Sequence, residues 1–418
     1  MTSPDPANLD VSGLDQALAA VSGDRMAATV AKLAADRFAG RRVGSPGAAA
    51  AREWLVQQLT DLHAAVTTEP FPVAAVPEIY AAPTVHWHDG TETHSLTFGS
   101  DVAVHLTSAD QPSIRRGRLT VAGHGDPAGA WLVVPAGTGL SDAYGQATGA
   151  AGLLLARQVD ADGWQYTMLA GPPPGPLPVL SVAPDIHTAL HEAAATGTSW
   201  LAGNAPIRRV QVTATNLHAR WDTLGGGADL LLTAHCDGVG DLPGLRQPAA
   251  ADNGSGVAVV LETARILTTL LPDTFTLAVA LLDAEETGAL GSAQHATHLR
   301  QAGHTPLVIN VDGAGHLHQA VAVEAGGPAH ALLAALDQAG RRIGLPLAAG
   351  PVASDNRRYA AAGLAAVGIG AGMAGHHSPA DIPDRVDTST LTAIARLVVA
   401  TAWLAVGTPT TLSSLIGD

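Results

Sequence analysis

Five short segments carry the residue types that bind divalent cations and move protons: His235-Cys236-Asp237, Asp252-Asn253-Gly254-Ser255-Gly256, Glu285-Glu286, Asp312 and His376-His377. Glu285 and Glu286 follow the apolar run 275–282. Neighbouring side chains on a strand point to opposite faces. At a strand end the two carboxylates can diverge, one holding a metal and the other the water beside it. On a continuing strand His235 and Asp237 share a face, and Cys236 points away to pack as a small hydrophobe. Asp237 is then placed to accept the second N–H of the imidazole rather than to ligate. Asp252 opens a helical run that ends near Leu271. Capping is the ordinary use of an acid there, although a carboxylate so soon after His235 can also bridge two cations. Asp312 ends the run 307–311 and opens the turn Gly313-Ala314-Gly315.

Together these segments offer two histidines, His235 and His377, three acids, Asp252, Glu286 and Asp312, and one spare carboxylate, Glu285. That is the inventory of a dinuclear zinc centre, since imidazole and carboxylate both suit Zn²⁺; Mn²⁺ or Co²⁺ suit the same donors. Three carboxylates and one hydroxide balance the charge of two Zn²⁺, and a near-neutral buried centre avoids an uncompensated charge. Of the chain's 18 histidines, His295, His298, His304, His316 and His318 receive no role.

The elements that must position these residues are read from periodicity and turn chemistry. Residues 1–24 are small and polar, an arm or a short helix. A helix is expected over 26–35, and Ser45-Pro46 reads as an N-cap followed by proline at the first helical position. Leu55, Leu59 and Leu62 give the next helix one apolar stripe. From about Tyr80, short strand-like runs (119–121, 131–134, 153–155, 179–182) alternate with Gly/Pro clusters and two helical stretches, 143–150 and 186–195. Residues 83–205 therefore read as a small α/β module inserted into a larger domain made of 1–82 and 206–418. From Val210 strands and helices alternate. The runs 230–233, 276–282, 307–311 and 365–369 suit strands buried on both faces. An α/β fold follows: a mixed, mostly parallel sheet with helices on both faces, binding ligands beyond the carboxyl ends of its strands.

The chain has 418 residues, 47% hydrophobic and 14% charged, enough to build a core. Its net charge of −15 argues against a nucleic-acid surface. Cys236 is the only cysteine, so no internal disulfide is possible. No signal peptide and no apolar run of membrane-spanning length is read. The expectation is a cytoplasmic protein without membrane contact, with secretion after processing left open. Oligomeric state is not readable.

At the residues quoted above the chain resembles the M28 family of zinc peptidases, of the aminopeptidase Y and bacterial leucyl aminopeptidase type. Phe38-Ala-Gly-Arg41 with Gly44-Ser-Pro-Gly47, Ala234-His-Cys-Asp237, Ala251-Asp-Asn-Gly-Ser-Gly256, Ala284-Glu-Glu-Thr-Gly288 with Gly291-Ser292, Asn310-Val-Asp312 and His377-Ser-Pro-Ala-Asp381 follow in the family's order. Gly149-Ala-Ala-Gly-Leu153 and Leu177-Pro-Val-Leu-Ser-Val182 give the inserted module a likeness to a protease-associated (PA) domain. The resemblance implies a three-layer zinc-peptidase fold and two Zn²⁺ per chain. One ion is assigned to His235 and Asp312, the other to Glu286 and His377, with Asp252 bridging. Glu285 matches the general base, acting on a metal-bound hydroxide, and Ser354-Asp355 resembles the pair ahead of the last strand. His376 stands where a tyrosine often helps stabilise the oxyanion, and Cys236 where an aromatic residue is usual.

The activity so implied is removal of N-terminal residues from peptide or aminoacyl substrates. A carboxypeptidase or acylamino-acid hydrolase, with Arg357 and Arg358 binding a carboxylate, is the first alternative. A single-zinc aminoacyl cyclase and a catalytically inactive binding protein are the others.

Overall fold

The runs expected as doubly buried strands lie side by side at the centre of an eight-stranded sheet. Leu277–Leu282, Leu230–His235, Leu307–Val311 and Ala366–Gly370 are neighbours in that order, and every pairing among them is parallel. This computed structural model describes residues 11–221, 227–271 and 275–407. Helices cover both faces of the sheet. Gly23–Leu33, Gly256–Leu270 and Thr388–Gly407 pack on one face through Val30, Leu33, Val260, Leu267, Ile394 and Val398. Leu290–Gln301 and Asn356–Ala361 cover the other through Ala296 and Tyr359. Burial on two sides is why these strands read as continuous apolar runs.

The flanks are antiparallel, and the sequence did not announce them. Ile207–Arg220 pairs with Leu277–Leu282, and the 15-residue strand Ala65–Ile79 forms the edge beyond it. Pro70, Pro72 and Pro77 lie within that strand. A prolyl residue lacks the N–H of a ladder, so such a strand is tolerated only at an edge. On the other flank Val321–Gly326 runs antiparallel to Ala366–Gly370, and Leu347–Ala349 closes the sheet. Four of the seven pairings are thus parallel, all but one of them at the centre.

Between the long strands Ala65–Ile79 and Ile207–Arg220 the chain builds a second eight-stranded sheet, from Val85–His88 to Trp200–Ala205. It has its own apolar cluster, with Trp131, Leu154, Leu180, Leu190 and Leu201 at its centre. The strands expected over 119–121, 131–134, 153–155 and 179–182 are present within it. The helix expected over 143–150 is shorter and earlier, Leu140–Gly145, and Gly149 downstream takes a left-handed φ of 75°. The helix expected over 186–195 runs Pro184–Ala194.

Local chemistry sets the N-terminal helices. Ser45 Oγ accepts the Ala48 N–H at 3.1 Å and Pro46 opens Pro46–Asp61, as the Ser-Pro pair predicts. Leu55 and Leu59 are buried while Leu62 is half-buried. Within the expected N-terminal arm, Val11–Ala19 is helical; residues 1–10 lie outside the described residues. One expectation is corrected. The helix Thr388–Gly407 contains a 19-residue stretch, Thr388–Val406, long and apolar enough to cross a membrane. Its apolar character serves the core instead, since Leu391, Ile394, Leu397, Val398 and Ala402 are fully buried.

Candidate metal centre

The carboxyl ends of the parallel strands bring the candidate ligands into one buried hollow. His235 is the last residue of its strand, and Asp312 follows Leu307–Val311 directly. His235 Nε2 lies 3.3 Å from Asp252 Oδ1 and 3.4 Å from Asp312 Oδ1. On the opposite side His377 Nε2 lies 3.1 Å from Asp252 Oδ2 and 3.0 Å from Glu286 Oε2. Asp252 therefore turns one oxygen to each histidine. His235, Asp252 and Glu286 each offer a donor atom within 4.8 Å of the others.

Capping does not explain Asp252. The helix begins at Gly256, and its N–H is accepted by Asn253 Oδ1 at 2.9 Å. The same oxygen accepts the Gly313 N–H, and Asn253 Nδ2 donates to Val311 O. Asn253 thus ties the Asp252 loop to the segment that carries Asp312, and its peptide with Asp252 is cis. Asp381 holds the other side, accepting N–H bonds from Ala251 and Asp252 at 2.6 and 3.0 Å. Burial pushes the Asp381 carboxyl up to about 7.

Asp237 departs from expectation in one respect. The second imidazole nitrogen, His235 Nδ1, faces it, but the nearer partner is its backbone carbonyl at 3.2 Å, with Oδ1 at 3.6 Å. The carboxylate instead accepts the backbone N–H groups of Glu285 and Glu286 at 3.1 and 3.2 Å. It is turned across to the neighbouring strand end, where the chain leaves through Ala284 at φ 63°. Its work is to orient the acidic pair. Cys236 packs away from the hollow, as expected, and burial raises its thiol pKa.

Arg41 carries a role that its motif did not reveal. It is fully buried and donates to four carbonyl oxygens: Leu33, Cys236, Pro248 and Ala249. The loops that present His235 and Asp252 thereby share one guanidinium. Asp283, the first residue of the acidic run, accepts from Thr215 N and Arg52 Nη1 and anchors that strand end. Nothing in the local sequence marks either contact, because both partners are distant in the chain.

Glu285 is not part of the donor cluster. Burial pushes its carboxyl well above the usual range; the charges of Asp355, Asp312 and Glu286 add to this, against the pull of His235. Asp355 is itself fully buried, and burial raises it to about 7; Ser354 Oγ accepts from Asn310. His376 lies beside His377, and its ring is tilted against Tyr166 of the second sheet's loops, with centroids 5.3 Å apart. Arg357 is paired with Glu324, and Arg358 donates to Gly288 O.

The donors fit a cation. At ligand distances of about 2.0–2.2 Å, two donors of one tetrahedral zinc stand roughly 3.3–3.6 Å apart. The separations of 3.0–3.4 Å fall at or just below that spacing. His235 Nε2, Asp312 Oδ1 and Glu286 Oε1 are buried without a hydrogen-bond partner, and buried polar atoms are rarely left so. Of these, His235 Nε2 and Asp312 Oδ1 lie 3.4 Å apart.

A donor set of this kind at the carboxyl ends of a central parallel sheet can hold divalent cations. Residues 216–402, which carry every candidate site residue, match the peptidase family M28. No curated protein sequence matches the chain. Solved structures share its fold, three of them aminopeptidases or M28 peptidases by name. An aminopeptidase from Aneurinibacillus sp. strain AM-1 is 20% identical with a TM-score of 0.69, covering 94% of this chain and 96% of its own. The zinc aminopeptidase BSAP from Bacillus subtilis is 19% identical with a TM-score of 0.71, covering 92% and 94%. A peptidase M28 precursor from Shewanella amazonensis is 19% identical with a TM-score of 0.66, covering 95% and 98%.

Proposed function

We propose that the protein is a dinuclear-zinc aminopeptidase that removes N-terminal residues from peptides. The observation that carries this reading is the placement of Asp252 between two histidines, one oxygen toward each. His235, Asp312 and Asp252 would hold one zinc; Asp252, Glu286 and His377 would hold the other. Bound there, zinc supplies Lewis acidity toward the scissile carbonyl and lowers the pKa of water.

The chain's own groups supply the rest. The Glu285 carboxylate accepts the proton of the attacking water and passes it to the nitrogen of the leaving amine as the C–N bond breaks. Asp237 fixes the backbone from which Glu285 and Glu286 project. His376 is placed beside His377 to donate to the oxygen that gains charge in the tetrahedral intermediate. Residues 83–205 act as a PA-like cover that limits access to short peptides. Three contacts support this: Thr167 N–H donates to His377 O at 2.8 Å, Gln247 Nε2 to Thr167 Oγ1, and Ser378 Oγ to Asp160 Oδ2.

The test is hydrolysis of leucine p-nitroanilide and of its N-acetylated form, with and without chelator, together with the zinc content of the protein. Two zinc per chain and chelator-sensitive cleavage of the free-amine substrate alone are expected. Cleavage of the blocked form alone would replace this reading with an acylamino-acid hydrolase. One zinc per chain would favour the cyclase.

A further inference from the structure

Beside the candidate metal centre lies a second and larger space, and it is lined by a cation, Arg157, that has no acidic partner among the described residues. A cavity of about 450 Å³ runs between the central sheet and the second sheet, within the range of small-ligand sites. Val239 and Gln247 line both this cavity and the small hollow formed by Asp252, Glu286 and His377. The two spaces therefore share a wall. Tyr80 and Met168 line the larger one and are exposed, which places them at its mouth.

Its walls are apolar where Ile79, Phe98, Leu106, Leu169, Ile207 and Leu242 stand, but charged groups also reach it. Arg42 and Arg208 are both paired with Glu78, and Asp241 with Arg246. Arg157 is the exception. It follows the strand Gly152–Ala156 at its carboxyl end and is half-buried. Its guanidinium has no acidic or hydrogen-bonding partner among the described residues. A desolvated arginine without a carboxylate is costly unless a ligand completes it. Burial accordingly lowers its pKa.

We infer that this cavity receives the C-terminal part of a short peptide and that Arg157 pairs with a carboxylate there. The inference rests on the aminopeptidase reading, which puts the peptide's N-terminus at the metal centre and the rest of the chain beyond it. A guanidinium recognises carboxylate in a planar, two-bonded geometry that an amide cannot reproduce. The carboxylate is the free chain terminus of a di- to tetrapeptide, or an acidic side chain in that segment.

The experiment measures release of free leucine from Leu-Gly, Leu-Gly-Gly and Leu-Gly-Gly-Gly, each as free acid and as C-terminal amide, and from Leu-Gly-Glu-amide. Wild type, Arg157→Ala and Arg157→Lys are compared as zinc-loaded full-length proteins. The wild type is expected to prefer the free acid by about tenfold or more in kcat/KM at its best length, mainly through KM. Arg157→Ala should collapse that ratio toward one, and Arg157→Lys should keep part of it. Preference for Leu-Gly-Glu-amide over Leu-Gly-Gly-amide, lost in Arg157→Ala, would assign the carboxylate to a side chain instead of the terminus. A wild type that treats acids and amides alike, or a preference that survives in Arg157→Ala, overturns the inference. Calorimetric binding of N-acetyl-Leu-Gly-Gly and its amide separates the two levels. If no leucine is released from any peptide but the acid still binds more tightly through Arg157, the aminopeptidase reading fails and the carboxylate site stands.

Discussion

Asp381 holds Asp252 by its backbone: Asp381 Oδ2 accepts the Asp252 N–H at 3.0 Å, while Oδ1 takes that of Ala251. The carboxylate proposed to bridge two cations is thus aimed by another carboxylate, one within electrostatic reach of the Arg41 guanidinium. Replacing Asp381 by Ala should weaken zinc binding by about 10–100-fold, the usual effect of removing a partner that orients a ligand. Competition against a zinc-binding dye measures this. An unchanged affinity would show that Asp381 only packs.

Glu285 and Asp252 should fail in different ways. Glu285→Gln keeps the donor set and removes the proton acceptor, so kcat should fall by about 10²–10⁴ while zinc content stays at the wild-type value. Asp252→Ala should lose metal and activity together. Elemental analysis beside kinetics distinguishes them, and near-normal turnover of a fully loaded Glu285→Gln protein would remove Glu285 from the mechanism.

Arg41 joins loops that are far apart in sequence. With four carbonyl partners and no exposure, its loss strands several buried acceptors. Arg41→Ala should destabilise the fold by about 3 kcal/mol or more. Arg41→Lys should recover little, because an ammonium cannot span the same fork of acceptors. Urea unfolding of the variants reports this, and a midpoint equal to wild type would contradict it.

Away from the centre, Glu69 sets a pH dependence. It lies on the edge strand, accepts from Asn216 and His218 at 2.8 and 2.9 Å, and meets His298 as well. Burial alone would raise its pKa, but the bonds from His218 and Asn216 outweigh burial and hold it at about 2, below the ordinary 4.5. A depressed carboxyl stabilises the fold above its unfolded pKa, and that contribution disappears as pH falls through the folded one. The stability advantage of wild type over Glu69→Gln should therefore be full above about pH 5 and shrink between about 4.5 and 2. A constant difference across that window would rule it out.

The candidate donors His235, Glu286 and Asp312 were legible because they end or follow apolar runs, whereas Asp252 and His377 stand in loops that the fold brings beside them. The centre of the sheet was legible for the same reason. What escaped depends on partners distant in the chain. Ala65–Ile79 carries three prolines, and its strand is explained only by its place at the sheet edge. Asp237 was assigned to the correct neighbour, His235, but its carboxylate serves residues 48 and 49 positions further on. Arg41 and Asp381 lay inside quoted motifs without a role, since buried contacts to backbone leave no local signature. Arg157 lay inside the module with no motif at all.

The strands that lead into and out of the second sheet end opposite each other, Ile79 against Ile207, with Tyr80 N–H donating to Pro206 O at 3.2 Å. Topologically, a two-residue hairpin could replace everything between them without moving either strand. The obstacle is remote from that junction: Thr167, inside the excised segment, clasps the carbonyl of His377, which sits in the left-handed region at φ 58°. A shortened chain would therefore close easily and still lose the bond from Thr167 to the His377 carbonyl, the contact by which the accessory sheet reaches the candidate ligand.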